Sequence, residues 1–227
     1  MTALETLVEP LLKIDWDDTD AVEAVAEEAL KAVAADGRIL REALAALAER
    51  PDLQALCEHP DPQGTADLGQ QLDKVVLYAD PDSGVRVRLH AFWPGYYDLP
   101  HNHRWTFASL VMRGRFRHRI YGDQGPDDAP LPVPLLPLHV RHEEPGNVYA
   151  LHHRMLHALI AEPGTVSLVV RGPAAKDRSF LVRESDGARV WHVGASNESS
   201  QQLARKRMSP ARLAELTELF GTWGLLG

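Results

Sequence analysis

His101 and His103 are separated by one residue, and a third imidazole lies downstream at His157. Alternate residues of an extended chain project to the same side, so the first two rings leave a strand together, at a distance one metal ion can bridge. They follow Phe92-Trp93-Pro94-Gly95, a strand end and turn, and precede the run from Trp105 to Gly114. His157 comes after the turn signal Glu144-Pro145-Gly146 and the run Tyr149-Ala150-Leu151, ahead of Thr165 to Val170. Two such hairpins can face each other across a barrel. His152 and His153 compete with His157 for the third place, although they fall where a turn is expected. A lone strand histidine is most often a half-exposed residue with a backbone partner, but three at these spacings argue for metal binding. By ligand softness, three imidazoles suit iron, zinc, copper or nickel.

The elements that must position these residues change character along the chain. Up to about Glu58 apolar residues recur at helical spacing, as in Leu4, Leu7, Val8 and Leu11, then Val22, Val25, Ala29 and Val33, then Leu40, Leu44 and Leu47. This predicts three amphipathic helices, with N-cap candidates for the second in Asp17-Asp18-Thr19-Asp20 and a stop at Asp36-Gly37. Pro60 to Gly64 reads as a breaker. From about Gln71 the texture is that of strands: Val75–Tyr78, Val85–His90, Phe107–Met112, Phe116–Tyr121, Val148–His152, Thr165–Val170, Ser179–Arg183 and Arg189–Val193. Short strands at this spacing indicate a sandwich or barrel. Pro126 to Pro137 reads as an extended surface loop between two halves of the barrel, and the tail returns to helix, with Ser209 as N-cap and Pro210 at N1. The resulting division is a helical extension over 1–70, a barrel over 71–195 and a tail with a helix over 196–227.

Composition narrows the function classes. A formal net charge of −8 over 227 residues gives no uniform basic field for a nucleic-acid backbone. The stripe Arg113-Gly114-Arg115-Phe116-Arg117-His118-Arg119 is explained by a solvated strand face with alternate arginines outward. The single cysteine, Cys57, cannot form an intrachain disulfide, which fits a reducing compartment. The N-terminal residues lack the basic and apolar regions of a signal peptide, and no run approaches the ~20 apolar residues of a membrane span, so the expectation is a cytoplasmic protein with no membrane partner. The stripe Leu213, Leu216, Leu219 and Phe220 on the tail helix predicts packing on the barrel or on a second copy, and a homodimer is expected.

Pro94-Gly95, five residues, His101-Asn102-His103, ten residues and Gly114 together resemble the first cupin motif, and Pro145-Gly146 through His157 resembles the second. The resemblance covers about half of the chain. It implies a mostly β cupin barrel, a double-stranded β-helix or jelly roll, with the N-terminal helices and the C-terminal helix outside it. The segments Leu89 to Gly95, Tyr149 to His157 and Ser167 to Val170 look most like the branch that contains cysteine dioxygenase. Most cupins carry a glutamate four or five residues past the second histidine, where this chain has Phe107 and Ala108. The cysteine dioxygenase branch also lacks it and holds iron(II) on three neutral imidazoles. The resemblance therefore favours Fe(II) on His101, His103 and His157, with zinc, manganese or nickel as alternatives.

The thiol-oxidising members carry a histidine and a tyrosine where this chain has Val169 and Arg171, so cysteine is not the expected substrate. If the strand keeps its phase, Arg171 points with Val169 towards the cavity, where its guanidinium fork can hold a substrate carboxylate. A rim arginine paired with Asp177 or Glu184 is the structural alternative. Related enzymes place a basic anchor on strands where this chain has Lys74, Tyr78, Arg86 and Arg88; a solvated strand face is the simpler reading of each. Trp93, Trp105 and Tyr149 can wall a pocket or serve as core, and Tyr149 joins Arg171 among the candidate catalytic residues. The leading expectation is a non-haem iron oxygenase that takes a small carboxylate-bearing substrate and dioxygen. The rivals are a zinc or manganese cupin isomerase, lyase or hydrolase, and a non-catalytic metal-binding sensor or scaffold.

Overall fold

The structure is a computed structural model that describes residues 1–60, 71–193 and 199–227. Its helices are Ala3–Val8 (α1), Thr19–Ala35 (α2), Gly37–Ala46 (α3), Pro51–Gln54 (α4), Ser200–Lys206 (α5) and Pro210–Thr222 (α6). The strands are Leu72–Ala79 (β1), Arg86–Phe92 (β2), Phe107–Arg113 (β3), Phe116–Asp123 (β4) and His139–Glu143 (β5), then Val148–Leu151 (β6), Met155–Ala161 (β7), Thr165–Arg171 (β8), Arg178–Val182 (β9) and Arg189–Val193 (β10). The breaker expected at Pro60 to Gly64 lies, beyond Pro60, outside the described residues, as does the boundary at 195.

The strands form a five-stranded antiparallel sheet in the order β1-β2-β8-β3-β6, a three-stranded sheet β5-β4-β7 and a hairpin β10-β9. The five- and three-stranded sheets face each other, and Phe92, Phe107, Val111, Phe116, Leu159 and Val169 fill the space between them. On its outer side the five-stranded sheet meets the helices in one core that joins Leu89, Leu110, Leu168 and Val170 to Val22, Leu30, Leu40, Leu216 and Phe220. Strand β8 is buried at every position because it is central and covered on both faces. That is why it reads as an apolar run rather than an alternation.

Helix α2 begins where the Asp18 side chain accepts a hydrogen bond from the Ala21 amide at 3.0 Å, and it buries Val22, Ala26, Ala29, Leu30 and Val33 along one stripe. Asp36 ends it and also caps α3, accepting from the Arg38 amide at 3.1 Å. The stop expected at Asp36-Gly37 is therefore a sharp corner between two helices. The expected stripe on α6 is consumed inside the chain, since Leu216 and Phe220 are fully buried and Leu213 packs on the same core.

Two strands lie outside those expected, and both have a physical reason. Strand β7, Met-Leu-His-Ala-Leu-Ile-Ala, has the composition of a helix and lacks alternation because its sheet is covered on both sides. Strand β5 is a short, mostly exposed edge that follows the proline-rich loop. That loop is not only a surface crossing: Leu131 and Leu135 pack on a third core of Tyr121, Leu156, Ala158, Phe180 and Val182, which closes the outer side of the three-stranded sheet. The basic stripe does face outward through its arginines, with Arg115 paired to Glu162 at 2.5 Å and Arg119 to Glu184 at 3.4 Å.

Asp73 on β1 ties the C-terminal helix to the barrel. Its fully buried carboxylate accepts from Trp93 Nε1 at 2.7 Å and Arg212 Nη2 at 2.7 Å, and meets His59 Nδ1 at 2.5 Å. Trp93 thus turns outward to α6 and Trp223, away from the site it was a candidate to wall. Removing one partner of a buried pair costs about 3–5 kcal/mol, and partial exposure of Arg212 lowers the figure here. Asp73→Ala should cost about 2–3 kcal/mol and lower the melting temperature by roughly 5–10 °C, as read by thermal denaturation. An unchanged melting temperature would show that water replaces these bonds without loss.

Candidate metal centre

Residues 97–102 run as an irregular extended segment rather than the regular strand expected for His101 and His103. The segment lies between β7 and β9, bridging Tyr97 to Ile160, and His101 to both His157 and Leu181. It thereby joins the three-stranded sheet to the hairpin. His101 and His157 exchange both backbone hydrogen bonds, His101 N to His157 O and His157 N to His101 O, each at 2.9 Å. Directly opposed residues of such a pair send their side chains to the same face. The two-residue period then brings His103 to that face as well.

Between them, Asn102 points the other way and anchors the segment. It is buried, its Nδ2 donates to Asp127 Oδ1 at 3.0 Å, and its Oδ1 accepts from the Phe180 amide at 3.0 Å. Asp127, from the proline-rich loop, also holds Lys176 at 2.9 Å.

The result is a group of three nitrogens from His101, His103 and His157, all within 4.8 Å of one another. His103 Nε2 lies 2.8 Å from His157 Nε2. Burial, followed by the neighbouring imidazoles, holds His103 and His157 far below the usual histidine range, so both are neutral near pH 7 with lone pairs available to a metal. His101 donates from Nδ1 to the Leu99 carbonyl at 3.0 Å, which leaves its Nε2 for the centre. No carboxylate belongs to this group among the described residues. The ring of Phe107, at one of the positions where most cupins carry the glutamate, packs edge-on against His103 with centroids 4.7 Å apart.

Behind His157 stands a chain that the sequence reading missed. His157 Nδ1 lies 2.9 Å from His118 Nε2, and His118 Nδ1 lies 2.9 Å from Glu143 Oε1. Arg141 Nε holds the same carboxylate oxygen. With Glu143 as terminal acceptor, His118 carries its proton on Nδ1 and accepts from His157 Nδ1, so the Nε2 lone pair of His157 faces the centre. Three imidazoles with two of these orientations fixed fit a first-row divalent ion. The signal for His118 was its phase with Phe116 on the inward face of β4, hidden within the run of arginines.

His152 and His153, the competing ligands, belong to a separate group with Asp17. Tyr149 is buried against His118, with ring centroids 4.8 Å apart, and burial raises its hydroxyl far above the usual tyrosine range. Its packing is with the supporting chain of His118 rather than with the ligands.

Arg171 keeps phase with Val169, which lies in the core between the sheets. Its guanidinium lies 4.5 Å from the centre of the Trp105 ring, and Trp105 lies beside His103, with centroids 6.1 Å apart. Arg88 and Arg104 approach the same ring at 5.7 and 5.8 Å. Arg171 Nη1 donates to the carbonyls of Gly84 at 3.1 Å and Gly172 at 2.8 Å, while Nε of Arg171 and Nε of Arg88 are buried without a hydrogen-bond partner. Neither Asp177 nor Glu184 pairs with Arg171; Glu184 pairs instead with Arg119. Burial first, then Arg88, Arg86 and Arg104, bring the Arg171 guanidinium down to about 8. Arg88 is buried rather than solvated, and Lys74 is engaged with Glu58 at 3.0 Å.

No known protein family matches the chain, and no curated protein does. Solved structures do. A cupin 2 conserved barrel domain protein from Rhodopseudomonas palustris is 20% identical, over 55% of this chain and 76% of that one, with a TM-score of 0.40. The DMSP lyases RdDddP and RnDddQII are represented at 19% identity, over 68% and 77%, with a TM-score of 0.42. KdgF from Halomonas sp. is 18% identical, over 47% and 82%, with a TM-score of 0.36. The strand order and facing sheets are those of the expected mostly β cupin-type barrel with helices at both ends.

His101→Ala, His103→Ala and His157→Ala should each remove most of the metal held by this group and leave the fold intact, because the cores supply the stability. His118→Ala should weaken retention roughly 10–100-fold, and Glu143→Gln should shift it in the same direction. Elemental analysis after dialysis against graded chelator reads both. Retention in His118→Ala equal to that of the parent would remove the supporting role of the chain.

Proposed function

We propose that this protein is a mononuclear non-haem iron(II) oxygenase of the cupin type, resembling the three-histidine branch that contains cysteine dioxygenase, and that its substrate is small and carries a carboxylate. The observation that carries the reading is the pairing of three imidazoles, with no carboxylate in their group among the described residues, with the buried guanidinium of Arg171, whose Nε has no hydrogen-bond partner and whose charged neighbours are the arginines Arg86, Arg88 and Arg104. A buried charge is costly unless it is paired, so the second feature asks for an anion from outside the protein.

Iron(II) on three neutral imidazoles supplies dioxygen activation beside a bound substrate. The protein's part is to hold and orient. His101, His103 and His157 present lone pairs from a rigid cross-strand frame, and the His118–Glu143 chain fixes the proton of His157 on the far nitrogen. Arg171, braced on the Gly84 and Gly172 carbonyls and on the Trp105 face, offers the rest of its fork to the substrate carboxylate, and Arg88 adds a second positive charge. Phe107 and Trp105 keep water from the side of His103. Resemblance, rather than the ligand set, puts iron ahead of zinc, manganese or nickel.

Elemental analysis of anaerobically purified protein, with oxygen consumption measured against thiols, amino acids and 2-oxo acids, tests the proposal. Iron with substrate-dependent oxygen uptake is the expected result. Zinc or manganese at full occupancy without oxygen uptake would transfer the site to Lewis-acid chemistry. Arg171→Lys keeps the charge but not the planar fork, and should cost on the order of 1.5–3 kcal/mol of substrate binding with metal content unchanged. Arg171→Leu should weaken an acid strongly and its amide much less. Equal losses for acid and amide would leave Arg171 with its structural bonds alone.

A further inference from the structure

His152 and His153 occupy the turn after β6, and Asp17 lies in the turn before α2. Neighbouring residues of a strand face opposite ways, yet here the two imidazoles lie on one side, with ring centroids 4.0 Å apart. His152 Nε2 is 3.5 Å and His153 Nδ1 is 3.7 Å from Asp17 Oδ1. A tetrahedral zinc-type ion with bonds of about 2.1 Å needs donors roughly 3.4 Å apart, which these separations approach. His153 Nδ1 is buried and has no hydrogen-bond partner, although it faces this carboxylate. An orphaned buried nitrogen calls for a ligand.

The backbone that carries Asp17 is held in place before any ion arrives, while its side chain remains exposed. Trp16 is buried against Gly172, where a Cβ would collide with the indole ring, and its indole nitrogen donates to the Leu11 carbonyl at 3.2 Å. The Asp17 amide donates to Asp15 Oδ1 at 2.9 Å, and Asp18 caps α2. On the barrel side, the His153 amide donates to Thr106 Oγ1 at 3.3 Å. The nearby cations are already matched: Lys176 by Asp127 at 2.9 Å and Arg154 by Asp123 at 3.0 Å. One bond must be given up. His152 Nδ1 accepts from the Arg154 amide at 3.3 Å, and metal on Nε2 moves the ring proton to Nδ1, leaving that amide to water.

We propose that Asp17, His152 and His153 form a second site, distinct from the three-histidine centre, for a divalent transition-metal ion of the zinc class, and that the ion clips the helical extension to the barrel. Two imidazoles and one carboxylate suit zinc, cobalt, nickel and iron(II), and the remaining positions go to water. An ion that binds the folded chain and not the unfolded one raises its stability by mass action.

Zn(II) is the probe. The full chain, stripped by chelator, is titrated by equilibrium dialysis, and melting is followed in parallel. The parent should take two equivalents, the His152→Ala/His153→Ala variant one, and the His101→Ala/His103→Ala variant one. Asp17→Asn should lose the same equivalent as the His152/His153 variant while keeping the other. In the His101→Ala/His103→Ala background, zinc should still raise the melting temperature, and Asp17→Asn should abolish that rise. A single equivalent in the parent that survives in His152→Ala/His153→Ala overturns the proposal. So do two equivalents that survive both that variant and Asp17→Asn, since the second ion would then lie elsewhere.

Discussion

The backbone pair between His101 and His157 is the constraint on which the site rests. Two hydrogen bonds of 2.9 Å hold these residues opposite each other and place their imidazoles on one face, after which the third follows from the two-residue period. The segment that makes this pairing is not a regular strand, so its position is secured from both sides. The Asp98 amide donates to the Leu159 carbonyl at 2.8 Å on one side, and the Val182 amide to the Pro100 carbonyl at 2.7 Å on the other. Loss of either contact would leave His101 and His103 on a loop, with the imprecision that implies for any metal they would hold.

The interior that this frame encloses is rich in nitrogen, and no carboxylate joins the three-histidine group among the described residues. For the imidazoles the cost is avoided by neutrality, since burial pushes His103, His157 and His118 below their ordinary range. Neutrality is also what a metal requires of its ligands. A guanidinium is much harder to neutralise, so Arg171 carries its burial as an electrostatic cost that Trp105 and two backbone carbonyls offset only in part, while Arg88 has Glu58 as a charged neighbour. An arrangement of this kind is expected where a site is built for a ligand rather than for stability alone.

Much of this was readable in the sequence where residue type and period agree. Strands β1 and β2, the apolar run of β8, the capping stretch before α2 and the phase of Arg171 with Val169 all follow from local pattern. What escaped depends on contacts distant in sequence. The one signal of His118, its phase with Phe116, was masked by the arginines on both sides, and its partner Glu143 is 25 residues away. Strand β7 escaped because burial on both faces erases alternation. The stripe on α6 was read correctly as apolar, but its partner, the core containing Leu40 and Leu89, lies far away in the chain.

The helical extension has a role in this economy beyond bulk. Strand β8 can be central to its sheet only if Val166, Leu168 and Val170 are kept from water on the outer side, and α2 lies across β3, β6 and β8 to do that. The inner side of the same strand carries Val169 and Arg171. A cavity opened beneath α2 would therefore be felt at the arginine through the backbone of β8, because packed interiors shift as units. Gly172 sharpens the coupling, since Trp16 lies on it and its carbonyl accepts from Arg171. A side chain at Gly172 would displace the indole, and with it the turn that leads into α2, while disturbing one of the two carbonyls that brace the guanidinium. The extension thus reaches Arg171 through Gly172, and acts as part of the scaffold that holds the guanidinium in place.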